Sequence, residues 1–196
     1  MLDTSKNKIN IWQELANETN GTFKEGYSWR SDSNTINYKN WTIISDNYRL
    51  WSGKSSMQMT RVITPITLTD NFKFEIYREG FVRKVEKFFG AQDIEIGYPD
   101  FDKAFTIKSN NELKIKTLLR NKEIRNLISS QTDVNIQISN YQGIWEKELP
   151  KNEFELSYFI DGVIKDIEIL KSLIELFKLI LDGLYEMNTI DQMKIQ

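Results

Sequence analysis

The strongest constraint on this chain is a run of apolar residues near its C-terminus. Val163, Ile167, Leu170, Ile174, Phe177, Leu181 and Leu184 recur at alternating spacings of four and three, which predicts a long helix over residues 162–187. Ile169, Leu173, Leu176 and Ile180 repeat the rhythm one stripe over. Two adjacent stripes make an apolar face wider than the roughly 100° of an ordinary surface helix, leaving Lys171, Glu175, Lys178 and Asp182 as a narrow polar strip. Such a helix has to be covered on two sides. A sheet of the same chain supplies one cover, and the other is a further helix or a partner chain. In the second case Ile169, Leu173, Leu176 and Ile180 form a homodimer or partner interface.

The remaining elements follow from local pattern. Asn10 caps a short helix with Trp12, Leu15 and Ala16 on one face, ended by Asn20-Gly21. Period-two alternation predicts strands at 41–45, 57–63 and 72–77, separated by turns at 31–34, 52–53 and 70–71. Residues 81–89 read as a one-sided amphipathic helix closed by Gly90. Strands are expected at 104–108, 134–138 and 154–158. Ser109 with Glu112 has capping-box spacing, and Asn121 caps a further helix. No Pro- or Ser-rich linker interrupts the 196 residues. The expectation is one α+β domain spanning 1–196: a strand-rich part (1–90) and a mixed part (91–196), with a mainly antiparallel sheet packed against the long C-terminal helix and shorter helices.

Two missing residue types narrow the chemistry. With no cysteine there is no disulfide, thiolate nucleophile or Cys-ligated metal. With no histidine there is no Ser-His-Asp triad and no imidazole ligand or proton relay. Carboxylate, Lys, Arg, Tyr and hydroxyl groups remain. The 26 basic and 28 acidic side chains give a net charge of −2, which argues against a nucleic-acid partner. No apolar run reaches membrane-spanning length. The opening MLDTSKNKINIW lacks the apolar core of a secretory signal, so a cytoplasmic location is expected.

Residues 93–111, DIEIGYPDFDKAFTIKSNN, and the helices expected after them carry one resemblance. An acidic residue and Pro99 precede Phe101-x-x-x-Phe105, then come a strand, a Ser/Asn turn, a helix with Leu118-Leu119 and a second short helix. The arrangement, over about 93–138, resembles an uncharacterised bacterial domain-of-unknown-function family often mislabelled "galanin". Where that family often has Leu-Thr-Pro, this chain has Leu119-Arg-Asn-Lys. The resemblance implies no activity, cofactor or catalytic residue.

Four candidate sites remain. Tyr27, Trp29, Arg30, Trp41 and Trp51 place aromatic rings beside a guanidinium in a turn-rich stretch, a combination suited to a ligand or partner surface. Asp93, Glu95, Asp100 and Asp102 form the densest carboxylate cluster. In an extended segment Asp93 with Glu95, and Asp100 with Asp102, would share a face able to hold Mg²⁺ or Ca²⁺, though the spacing is not that of an EF-hand. Residues 81–89 set Phe81, Val85, Phe88 and Phe89 against Arg83, Lys84 and Lys87, as a helix on an anionic membrane surface does, or one packed on a sheet. Ser52-Gly53-Lys54-Ser55 has the end of a phosphate loop, but position 48 is Tyr where the motif needs Gly, so it reads as a hairpin turn. The first functional expectation is a non-catalytic cytoplasmic protein-interaction module, binding a partner or itself, with no cofactor. The alternatives are a carboxylate-based metal-dependent or small-molecule-binding enzyme, and peripheral membrane association through 81–89.

Overall fold

A computed structural model describes residues 10–28, 30–52, 55–78, 92–141 and 148–191, with the backbone alone at 50–52, 55 and 92. The chain is α+β, as its patterning predicts. Helix α1 (Ile11–Thr19) begins where Asn10 accepts the Trp12 N–H and ends at Asn20 in the left-handed region. Four strands follow: β1 (Thr22–Lys24), β2 (Ser33–Tyr38), β3 (Trp41–Ser52) and β4 (Ser55–Thr67). Then come β5 (Phe74–Arg78), β6 (Gln92–Asp93), α2 (Pro99–Ala104), β7 (Phe105–Ser109), α3 (Glu112–Leu119) and α4 (Lys122–Ser130). Strands β8 (Asn135–Ser139) and β9 (Glu153–Asp161) precede the last helix, α5 (Ile167–Glu186).

Among the described residues the nine strands form one sheet in the order β1-β2-β3-β4-β9-β8-β5-β7-β6. Every neighbouring pair is antiparallel. The first four strands are a meander, and β9 then returns from far along the chain to lie beside β4. The sheet is open, with the short β1 and β6 at its edges.

One face of the sheet carries the main core. Ile43, Val62, Ile76, Ile107, Ile136, Leu156 and Tyr158 alternate inward and meet α5 through Leu170, Leu173, Ile174, Leu176, Phe177, Ile180, Leu181 and Leu184. Helix α5 starts later than its periodicity suggests. Gly162 has φ +85°, and Asp166 caps the helix by accepting the Glu168 N–H. The helix packs against α1, α3 and α4 as well as the sheet. Lys171 reaches Glu18 of α1 at 2.8 Å, and the Gln131 amide after α4 donates to Ser172 Oγ at 2.8 Å.

Three local expectations need correction. Residues 33–34, read as part of a turn, begin β2, whose hairpin turn instead lies at Lys39 with φ +53°. Asp100 and Asp102, taken to share the face of an extended segment, lie instead in α2, because Pro99 at the first position presets φ and Asp100 favours the positive N-terminus. The cap of α3 is Asn111 rather than Ser109: Asn111 accepts the Lys114 N–H, while the Ser109 hydroxyl donates to the Lys73 carbonyl across the sheet. Residues 81–89 lie outside the described residues.

Candidate functional site

The second stripe of α5 is not a free surface. Leu173, Leu176 and Ile180 are fully buried and Ile169 is half-buried, all within this chain. The reason is lateral. With α1, α3 and α4 against it and the sheet beneath, the wide apolar face is satisfied internally. Exposing it to a partner would mean taking the core apart.

The carboxylate cluster is also dispersed. Ile94 and Ile96 point inward, leaving Asp93 and Glu95 exposed, with Lys108 Nζ 4.0 Å from Asp93. Asp100 and Asp102 are two apart on a helix, so they diverge by about 200° instead of sharing a face. Asp102 is already occupied. Its carboxylate accepts the N–H groups of Ile96, Gly97 and Tyr98 at 2.9, 2.9 and 3.0 Å, fastening the preceding turn onto α2. Among the described residues no group of three or more Asp, Glu, His or Cys is placed to hold a metal ion.

The aromatic set divides. Trp41 is core, 1% exposed, with its ring edge-on to Tyr185 at 5.9 Å. Trp29 lies outside the described residues, and so does the side chain of Trp51. Tyr27 is 86% exposed and Arg30 is exposed. The two belong to a fastened loop: the Arg30 N–H donates to the Tyr27 carbonyl at 3.1 Å, and Asp32 accepts the Gly26 N–H at 2.7 Å and the Asn10 side-chain amide. Gly26 is required here, since a Cβ would lie 2.3 Å from the Arg30 carbonyl oxygen. The Ser31 hydroxyl donates to the Asn47 carbonyl and so ties the loop to β3.

That tie is made at the root of a projecting arm. Pairing of β3 with β2 stops at Asp46, opposite Ser33, and pairing of β4 with β9 stops at Met59, opposite Asp161. The β3–β4 ladder itself runs on through Arg49↔Gln58, Leu50↔Met57 and Trp51↔Ser56 to Ser52↔Ser55. These outer pairs form a two-stranded ribbon with Arg49, Ser56, Met57 and Gln58 exposed. Positions 53 and 54, the expected turn, lie outside the described residues. The arm is braced at its root. Arg61 binds Asp46 through two hydrogen bonds of 2.8 and 2.6 Å and covers the Tyr48 ring at 4.9 Å. Beneath, Met59, Ile63 and Phe159 make a small second core with Ile44 and Tyr48 on the face away from α5. Tyr27 and the Trp51 backbone, chosen from sequence, therefore sit at one end of the sheet. The arm that joins them was not foreseen, although the long unbroken run 41–52 signalled a strand extending past its neighbours.

Sequence patterning also missed a buried polar row on that second face. Glu75, the half-buried Gln137 and Ser157 are cross-strand neighbours, with Asn135 and Glu155 beside them in register. Glu75 is 1% exposed, and neither of its oxygens has a hydrogen-bond partner among the described residues; the same holds for Asn135 Oδ1. Burial pushes the Glu75 carboxyl up to about 7, with the Lys108 charge pulling the other way. Alternation alone assigns Glu75 to a solvent-facing position, and nothing local marks it as buried.

Comparison with known proteins gives no family: no family model, no curated protein and no solved structure matches this chain. No helix among the described residues is long and apolar enough to cross a membrane.

Proposed function

We propose that this protein is a non-catalytic interaction module, acting in the cytoplasm, that binds a protein partner or a second copy through the end of the sheet built from the Tyr27 loop and the β3–β4 arm. The observation that carries this reading is Tyr27. An aromatic side chain 86% exposed stands on a loop that hydrogen bonds hold in place, beside an arm with Met57 45% exposed. Exposed aromatic and Met side chains on a pre-organised support lose little entropy on docking, which is why such residues anchor interfaces. The absence of Cys and His removes the commonest catalytic groups and agrees with it.

Native mass spectrometry of gently isolated protein tests the reading. Wild type should carry a stoichiometric partner or second copy that the Tyr27→Ser/Met57→Ser variant has lost while remaining folded. Identical species from both would overturn it.

One observation favours the alternative of a small-molecule-binding enzyme. Glu75 is a buried carboxyl poised near neutrality, as general acids and bases are. A retained small mass on wild type that Glu75→Gln abolishes would move the assignment there.

A further inference from the structure

The Glu75 carboxyl has a chemistry that the interaction reading does not use. Register sets it on the second face of the sheet, with Lys108 of β7 opposite on one side and Gln137 of β8 on the other. Asn135 is its diagonal neighbour on that face, a separation that long side chains span. Glu75 is 1% exposed and Asn135 6% exposed. Among the described residues, Glu75 Oε1 and Oε2 and Asn135 Oδ1 have no hydrogen-bond partner. Once the carboxyl is ionised all three atoms are acceptors, so none can satisfy another. What they lack is a donor or a positive charge.

The facing lysine does not supply it. Lys108 Nζ lies over the Tyr77 ring, 5.7 Å from its centre, and 4.0 Å from the exposed Asp93. Glu155, the other acid of the row, has a partner of its own. The unmatched charge is therefore a single one. A carboxylate beside a neutral amide oxygen suits a monovalent cation. A divalent ion takes more acids, and among the described residues no group of three or more is placed to hold one. Access runs along the row, because Lys108 and Gln137, on either side of the buried carboxyl, are both half-buried. Burial without a counter-charge also keeps the Glu75 carboxyl protonated up to about pH 7. We propose that Glu75 and Asn135 form a site for one desolvated monovalent cation, either an inorganic ion such as K⁺ or the primary ammonium head of a small amine. Binding ionises Glu75, whose proton passes to solvent.

The test is carbon-13 NMR of the Glu75 side-chain carboxyl in labelled full-length protein, assigned by its loss in Glu75→Gln. It is titrated in potassium, methylammonium and tetramethylammonium chlorides at equal ionic strength. Tetramethylammonium offers no N–H and cannot shed its methyl shell, so it controls for screening. The Glu75 midpoint should fall by about one pH unit or more in the salt of a cation that fits. An effect of potassium alone assigns an inorganic ion, an effect of methylammonium alone assigns an amine, and an effect of both supports a site open to either. Asn135→Leu should remove most of the fall although the carboxyl remains, and Lys108→Met should enlarge it by removing a competing charge. Equal titration of wild type in all three salts would overturn the proposal, as would an undiminished fall in Asn135→Leu. A midpoint that only Lys108→Met moves would overturn it too, since the lysine is then the partner. The interaction reading is decided separately, by the Tyr27→Ser/Met57→Ser variant.

Discussion

Gly183 of α5 stands directly over Leu118 of α3: a Cβ built on Gly183 would lie 2.7 Å from the Leu118 Cδ1 methyl. Leu118 is buried, so its side chain has little room to turn away. The close approach of the two helices is what lets the wide face of α5 be covered from within the chain. Gly183→Val should therefore destabilise the fold by about 2 kcal/mol through overpacking, despite the intrinsic cost of Gly in a helix. Thermal unfolding checks it, and an unchanged melting temperature would show that α3 is free to shift.

Because Leu176 is core and not interface, Leu176→Ala should cost about 2–5 kcal/mol in urea unfolding and leave the oligomeric state of the folded fraction unchanged. Loss of a dimer without loss of stability would contradict the packing described for α5.

Glu75 sets a pH dependence whose sign is fixed. Its folded pKa, about 7, exceeds its ordinary 4.5, so the folded state holds the proton more tightly. That contribution is fully present below pH ~4.5 and is lost as pH rises through 7. Relative to Glu75→Gln, wild type should lose on the order of 3 kcal/mol of stability between pH 4.5 and 8. Parallel stability curves for the two proteins would place the carboxylate in a solvated site.

Asp102 holds three backbone N–H groups at once. Asp102→Ala should cost about 2 kcal/mol by leaving them unpaired, and Asp102→Asn roughly half of that, since one acceptor oxygen remains. If the site instead served a cation, Asp102→Ala would alter Ca²⁺ or Mg²⁺ affinity, and calorimetric titration is expected to show none to alter.

Tyr27→Ser should leave stability within about 0.5 kcal/mol of wild type, because so exposed a ring has little to lose on folding. A larger loss would mean that the loop is a structural clamp and not a docking surface.

Much of this architecture was legible where local pattern and tertiary environment agree. Asn10, Asn20 and Asn121 act as the end signals that their positions predict, and from Leu170 onward both stripes of α5 are buried. Reading failed where a residue's role depends on something distant. Asn34 looks like a turn former, yet it is fully buried in β2 opposite Ser45. Asp102 looks like a ligand, yet its partners are the backbone N–H groups of the turn four to six residues back. Glu75 looks solvent-facing because alternation reports which side of a strand a residue is on, not whether that side is covered. The α5 face shows the same limit: its stripes left open a cover from this chain or from a partner, and the fold buries Leu173, Leu176 and Ile180 and half-buries Ile169 within the chain. Periodicity measures how wide an apolar face is and cannot say which molecule covers it.

The place of β9 between β4 and β8 has a consequence for how the chain is made. Thr67 pairs with Glu153 and Met59 with Asp161, so the meander formed by the first four strands must wait with an open flank until β9 has been synthesised. Contacts so distant along the chain are slow to form, and the open edge of a thirteen-residue strand is a hazard while it waits. Pro65 guards the other edge: the Gly162 N–H donates to the Gln58 carbonyl, so even-numbered residues of β4 face β9, and Pro65 leaves no donor on the opposite edge just past Ile63, where pairing with β3 has ended and a further strand could otherwise add.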